Sequence, residues 1–329
     1  MPNNIFYSFS KTFSKKFEQN YLLHITLFLV TFITTLLAGI RWTTGKMGPY
    51  ELSDLVNGLP YAISVLFVLG VHEFGHYFAS VIHKVKATLP FFIPYPPIGP
   101  LNFGTMGAVI KTKSHIPNNK AMFDIGVAGP LSGFVACLIV LIYGFTHLPG
   151  QEYIMQIHPD YLSPEYGKGA GSLEFGNTLL FVLLREIFTN PSQFVPPMSE
   201  IYHYPYLCVG WFGLFVTAMN LIPVGQLDGG HIIYSMFNEK KQEAIASISM
   251  IILVLLGVLG VLNSFMNLEI HFGWSGWLFW TIILFFFIKV KHPPVAEYEE
   301  LNLIRKIFGY LAILIFILSF SPTPIIISF

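Results

Sequence analysis

The chain has 329 residues, of which 53% are hydrophobic and only 11% are charged. Its mean hydropathy of +0.61 lies far from that of a soluble domain, so the composition predicts an integral membrane protein. The formal net charge is zero, which favours neither nucleic acid nor an acidic protein as a partner.

Runs of about 20 apolar residues predict the membrane spans. In chain order they lie at 21–40, 61–82, 122–146, 207–237, 246–265, 272–288 and 307–325. The first run follows a basic leader and has no small-residue cleavage site after it, so we expect a retained helix there. The predicted fold class is an all-α polytopic membrane protein with about seven transmembrane helices.

Lysine and arginine are distributed unevenly over the segments that connect these spans. Fourteen of the 18 basic residues lie in four alternate segments, 1–20, 83–121, 238–245 and 289–306. Because basic connections stay in the cytosol, the N-terminus is predicted to be cytosolic and the C-terminus to lie outside. The long connection 147–206 then lies outside, and its apolar patch at 179–188 is expected at the membrane interface.

The second predicted span contains the sequence HEFGH, which begins at His72. On a helix His72 and His76 lie one turn apart on the same face, so both imidazoles can bind one metal ion. Glu73 lies about 100° around the helix, where it can act as a base instead of a ligand. The alternative is a pair of hydrogen-bonded buried histidines. An unpaired glutamate or histidine at membrane depth costs several kcal/mol, which favours a functional site.

Asp228 is the only carboxylate of the fourth predicted span. The second and fourth spans run in the same direction, so Asp228 and the two histidines are expected in the same leaflet. Pro223 and Gly225 precede Asp228 and break the helix, and irregular backbone at membrane depth is tolerated where it lines a wet cavity. Asp228 is therefore the predicted third ligand of a zinc site with one open position. A helix N-cap is its alternative role.

HEFGH, together with NLIPVGQLDGGH at 220–231, resembles the site-2 protease family of intramembrane zinc metalloproteases. GTMGAVIKTKS at 104–114 and PNNKAMFDIGVAGPLSGF at 117–134 extend the resemblance over roughly residues 60–237. The branch that it most resembles occurs in bacteria and plastids and lacks a PDZ domain, for which the 147–206 connection is too short.

The resemblance implies roles for five residues. His72, His76 and Asp228 would bind one Zn²⁺ per chain, and Glu73 would be the catalytic base. Asn220 would lie near the substrate or the oxyanion, with backbone capping as its alternative role.

The implied activity is hydrolysis of peptide bonds in or near transmembrane segments, close to the cytosolic side. The expected partners are the lipid bilayer and single-pass substrates that another protease has already trimmed, with no nucleic acid. The expected location is a bacterial inner membrane, or alternatively a plastid membrane. A metal-binding transporter is the alternative function, and a pseudoprotease is disfavoured because all four catalytic positions are filled.

The chain is predicted to divide into three parts. Residues 1–60 form a tail and the first transmembrane helix, 61–237 the catalytic core, and 238–329 further transmembrane helices. Within the core, a re-entrant or extended segment is expected near 101–114. It could offer an unpaired strand edge to a substrate, or it could be a mobile basic loop.

Other small and polar residues carry further predictions. The small residues GPLSG at 129–133 favour close helix packing, and Asp124 favours a helix N-terminus. His231 is a candidate to support the metal ligands. The remaining histidines show no metal-binding spacing: His24, His83, His115, His147, His158, His203, His271 and His292.

Overall fold

The computed structural model describes residues 19–96, 102–167, 172–190, 192–266, 272–295 and 297–327. The helices in these ranges are α1 (Tyr21–Thr44), α2 (Asp54–Ile82), α3 (Asn119–Thr146), α4 (Gln151–Ile157), α5 (Leu179–Phe188), α6 (Pro205–Leu221), α7 (Asp228–Phe237), α8 (Glu239–Met266), α9 (Gly276–Ile283) and α10 (Leu303–Ser319). The strands are β1 (Phe91–Pro94), β2 (Thr105–Val109), β3 (Leu173–Phe175) and β4 (Ile325–Ile327). A 3₁₀ turn, Ile201–His203, precedes α6, and a π-helical turn, Leu284–Ile288, follows α9.

Four of the described helices, α1, α2, α3 and α8, are long and apolar enough to cross a membrane. The chain is therefore a mostly helical membrane protein. The predicted count of seven spans is not confirmed. The predicted span 207–237 is divided between α6 and α7, and the helical part of 307–325 ends at Ser319. The apolar helix from Gly276 to Ile288 is shorter than the four long ones.

The break between α6 and α7 lies at the proline and glycine that were predicted to interrupt the helix. Pro223 has no backbone N–H and cannot continue a helix. Gly225 adopts φ +52°, a conformation that favours glycine, and its N–H donates to the Val290 carbonyl over 3.1 Å. This turn of irregular backbone ends α6 at Leu221 and starts a new helix at Asp228.

Small residues bring the first three helices close together. A Cβ on Gly39 of α1 would lie 2.7 Å from the Gly58 carbonyl oxygen of α2. Between α2 and α3, the Ser132 hydroxyl donates to the Val71 carbonyl over 3.0 Å. Such small-residue contacts are the usual means of packing helices in lipid, where hydrophobic burial supplies little driving force. They give α2, which carries HEFGH, a fixed place beside α3.

The segment predicted to be extended contains a strand. β2 pairs antiparallel with β1, with Phe91 opposite Val109 and Phe92 opposite Ala108. The hairpin packs against α1, where the Thr34 hydroxyl donates to the Gly104 carbonyl over 2.6 Å. Residue 101, the first of the predicted segment, lies outside the described residues.

Two sets of contacts attach the C-terminal part of the chain to the rest. β4 pairs antiparallel with β3, with Ile325 opposite Phe175. Arg305 of α10 donates to both carboxylate oxygens of Asp124, over 2.8 and 2.7 Å. Asp124 also contacts His83 Nε2 at 2.8 Å, so its main contacts are tertiary and the predicted helix N-terminal role is secondary. The patch 179–188 forms a helix, α5.

Candidate metal centre

HEFGH lies on α2, with both histidines buried and directed at one point. His72 and His76 are 6% and 7% exposed, and their Nε2 atoms are 3.1 Å apart. The spacing of four residues produces this proximity because it returns the second side chain to the same helix face.

Asp228 reaches the same point from the first turn of α7. Its Oδ2 atom lies 3.5 Å from His72 Nε2 and 3.3 Å from His76 Nε2. The break after α6 makes this possible, because it lets α7 start beside the middle of α2. The structure therefore brings together the three side chains that were predicted as ligands.

The three converging atoms fit a tetrahedral metal site. Zinc binds histidine nitrogen at about 2.0–2.1 Å, which separates two tetrahedral ligand atoms by about 3.3 Å. The three distances between the ligand atoms, 3.1, 3.3 and 3.5 Å, lie close to that value. Two nitrogens and a carboxylate oxygen are a donor set that zinc accepts, with a fourth position left for water.

The orientation of His76 is fixed by a backbone contact on its far side. His76 Nδ1 lies 2.7 Å from the Ile125 carbonyl oxygen of α3. Because a carbonyl only accepts, Nδ1 must carry the hydrogen, and the lone pair is left on Nε2. Histidines that bind metals usually have such a partner.

Two glycines of α3 lie directly against the two imidazoles. A Cβ built on Gly133 would lie 2.9 Å from the Cβ of His72, and one built on Gly129 would overlap the ring of His76. The GPLSG motif was predicted to serve close packing, and the packing partners are the candidate ligands themselves.

Glu73 lies beside the three candidate ligands in the same cleft. It is 8% exposed and lines a cleft of about 980 Å³. The cleft wall includes Ala108 and Ile110 at the end of β2. A carboxylate that shares the cleft with the candidate ligands can serve as a base for a water molecule bound there.

Asn220 and His231 also line this cleft. The Nδ2 atom of Asn220 lies 3.4 Å from His72 Nε2, so the side chain faces the candidate ligands. His231 Nδ1 lies 2.7 Å from His292 Nε2.

Sequence reasoning missed His292 because it lies in an irregular segment ahead of two prolines and has no spacing to another histidine. In the structure it is 4% exposed and lines the cleft. Its backbone N–H donates to the Gln242 side chain over 3.3 Å, which attaches this segment to α8. The pair of prolines that follows it, Pro293 and Pro294, is the feature of the sequence that sets His292 apart.

The profile of Peptidase family M50 matches residues 60–258, more than half of the chain. The chain belongs to this family. The resemblance to site-2 proteases that HEFGH and NLIPVGQLDGGH carried is thereby confirmed. No solved structure matches the chain.

Several curated plant proteins are similar in sequence. The probable zinc metalloprotease EGY1, chloroplastic, of Oryza sativa subsp. japonica is 31% identical over 56% of this chain and 29% of its own length. The probable zinc metalloprotease EGY2, chloroplastic, of Oryza sativa subsp. indica is 24% identical over 84% of this chain and 46% of its own length. EGY1 of Arabidopsis thaliana is 31% identical over 55% of this chain and 30% of its own length. The chain thus spans less than half the length of these relatives.

Proposed function

We propose that this member of family M50 is a zinc-dependent intramembrane protease that hydrolyses peptide bonds in or near transmembrane segments. In this proposal His72, His76 and Asp228 bind the zinc ion and Glu73 is the general base. The observation that carries the proposal is the convergence of the three ligand atoms within 3.5 Å of one another, beside a buried carboxylate and a large cleft. The names of the relatives support zinc and proteolysis, and they give the transporter alternative no support.

The residues around the site have separate roles in this reaction. When bound, zinc supplies a Lewis acid that polarises the scissile carbonyl and activates a water molecule. Glu73 takes the proton of the attacking water and delivers it to the leaving amine. The Asn220 amide donates to the oxygen on which negative charge develops. Ile125 keeps the lone pair of His76 directed inward.

The substrate must be extended at the scissile bond, because a helical amide is shielded by its own hydrogen bonds. β2 supports a way to achieve this, since one edge pairs with β1 and its end lines the cleft beside Glu73. Adding the substrate as a third strand would replace the backbone hydrogen bonds that it loses on unwinding. We propose single-pass proteins trimmed by another protease as the substrates.

Long-range contacts support an N-terminus in the cytosol and seven crossings. Asp124 and Arg305, which are paired, both belong to the predicted cytosolic side. His24 Nδ1, which lies 3.1 Å from the Pro90 carbonyl oxygen, is on that side too. β3 and β4, which are also paired, both belong to the predicted outer side. Each of these three pairs lies on a single predicted side, and we propose that the cut falls near the cytosol.

Two further proposals concern the membrane in which the protein lies and the part of the chain that carries out catalysis. A bacterial inner membrane remains the prediction, and the chloroplastic names of the relatives favour the plastid alternative. We assign catalysis to 61–237, with 1–60 and 238–329 as surrounding structure.

The experiment that tests the proposed function is cleavage of a truncated single-pass reporter by the purified protein in liposomes. Glu73→Gln should abolish cleavage and retain zinc, since the carboxylate is not a ligand. The matched control is Glu152→Gln, an exposed glutamate of α4, which should cleave at the rate of the original chain. Equal cleavage by the Glu73→Gln and Glu152→Gln variants would refute the assignment of the base.

A further inference from the structure

A second cluster of metal-binding side chains lies in the connection between α3 and α6. It consists of His158, just after α4, and of Glu200 and His203 at the 3₁₀ turn before α6. His158 lies 45 residues before His203, which is three residues after Glu200. The two histidines were predicted to show no metal-binding spacing. The fold brings one ligand atom of each within 4.8 Å of the others.

The two histidines approach each other as closely as those of HEFGH. His158 Nε2 lies 2.9 Å from His203 Nε2, and Glu200 Oε2 lies 3.9 Å from His203 Nε2. Two ligand nitrogens on a tetrahedral zinc ion are about 3.3 Å apart. The arrangement therefore needs only small movements to enclose an ion.

His203 has a lone pair directed into the cluster. Its Nδ1 atom lies 2.7 Å from the Trp42 carbonyl oxygen, so Nδ1 carries the hydrogen and the lone pair of Nε2 faces His158.

Glu200 has one carboxylate oxygen that accepts no hydrogen bond. The side chain is 3% exposed. The Tyr166 hydroxyl donates to Oε1 over 3.0 Å, whereas Oε2 is buried without a hydrogen-bond partner. A buried carboxylate oxygen without a partner is costly, and a cation at the cluster would satisfy it.

We propose that His158, Glu200 and His203 form a second metal site, which binds a divalent transition metal and, by its donor set, zinc. Two imidazole nitrogens and one carboxylate oxygen suit zinc, and three protein ligands leave a position for water. The site adds an ion to the one per chain that the sequence predicted.

The second site is distant from the first. The Trp42 carbonyl contacts His203. The next residue, Thr43, donates to the Asn57 carbonyl of α2 over 3.3 Å. Asn57 and His72 are about 22 Å apart along α2 at 1.5 Å per residue. The second ion would therefore join the connection after α4 to the turn before α6, beside the end of α1.

Metal content of the purified full chain tests this proposal, with zinc as the only metal supplied. The original chain should hold two zinc ions, and His158→Gln should hold one while cleaving the reporter. His158 is partly exposed, so this variant should fold. His147→Gln is the matched control, because His147 is an exposed histidine of the same connection, and this variant should keep both ions.

Variants of the catalytic site make the test independent of His158. H72A/H76A should keep one ion, and H72A/H76A/H158Q should keep none. Cobalt in place of zinc should give H72A/H76A the visible absorption of a tetrahedral site, and Glu200→Gln added to it should weaken cobalt binding at least about tenfold, since one charged ligand is lost. A single ion in the original chain that is lost in H72A/H76A would overturn the proposal, and so would equal zinc content in His158→Gln and His147→Gln.

Discussion

At the scale of single residues, the positions of the two histidine ligands depend on the α3 residues that pack against them. Gly129 and Gly133 leave room for the imidazoles of His76 and His72, and the Ile125 carbonyl sets the tautomer of His76. None of these three residues can bind a metal through its side chain. They determine the site by shape and by one hydrogen bond.

Gly129→Ala should remove activity without unfolding the protein. The added methyl group overlaps the His76 ring, and overpacking costs typically 1–3 kcal/mol. A displacement of about 1 Å at a catalytic group lowers the rate about 100-fold, which reporter cleavage would measure. The matched control is Gly70→Ala in α2, where a Cβ meets its nearest neighbour at an ordinary 3.8 Å. Equal rates in both variants would contradict the close-packing account.

Asn220→Ala should lower kcat by about 10²–10³, the usual effect of losing one oxyanion donor. Zinc content and KM should change little, because Asn220 is not among the candidate ligands. Steady-state kinetics in detergent with metal analysis would measure all three. A rise in KM with unchanged kcat would assign Asn220 to substrate binding and exclude the oxyanion role.

At the scale of secondary-structure elements, β2 has an edge that opens on the cleft. Residues 104–114 should be protected from hydrogen exchange when a substrate is added to the Glu73→Gln variant, because a third strand would pair with backbone amides at this edge. Mass spectrometry of peptides from this segment would measure the protection, with α8 as the internal reference. Unchanged exchange in 104–114 would exclude strand addition.

The contact between α10 and α3 should contribute measurably to stability. Arg305→Gln removes two charge-assisted hydrogen bonds to Asp124 and should lower the free energy of unfolding by about 1–2 kcal/mol, since both groups are only partly shielded from solvent. Denaturant unfolding in detergent would measure it. The control Lys306→Gln loses a pair with the exposed Glu300 and should change stability by less than about 0.5 kcal/mol. If Arg305→Gln lowered the free energy of unfolding no more than Lys306→Gln does, the contact between α10 and α3 would not contribute to stability.

At the scale of the whole molecule, the Asp124–Arg305 pair and the β3–β4 pair lie on opposite predicted sides. Ser163→Cys and Lys240→Cys introduce exposed thiols on the predicted outer and cytosolic sides. A membrane-impermeant maleimide added to intact cells should label only Ser163→Cys. The original chain is the control, because Cys137 and Cys208 are fully buried and should not react. Labelling of Lys240→Cys alone would reverse the orientation.

Much of the site was predictable because it depends on local patterns. The four-residue spacing of His72 and His76 follows from helix geometry. The helix break follows from the chemistry of Pro223 and Gly225. The lone carboxylate of a long apolar run singled out Asp228. His292 and the His158 cluster were beyond this reasoning, because their partners come from distant segments.

Sequence alone therefore predicted the membrane class, the family and the three candidate ligands. Hydropathy, residue spacing and rare polar residues in apolar runs can be recognised in the sequence without knowledge of tertiary contacts. Only the folded chain revealed which helices are long enough to span a membrane, what the glycines of α3 pack against, how the hairpin meets the cleft, and that His158 contacts His203. Those features depend on contacts between residues many positions apart, and a linear pattern does not encode such distances.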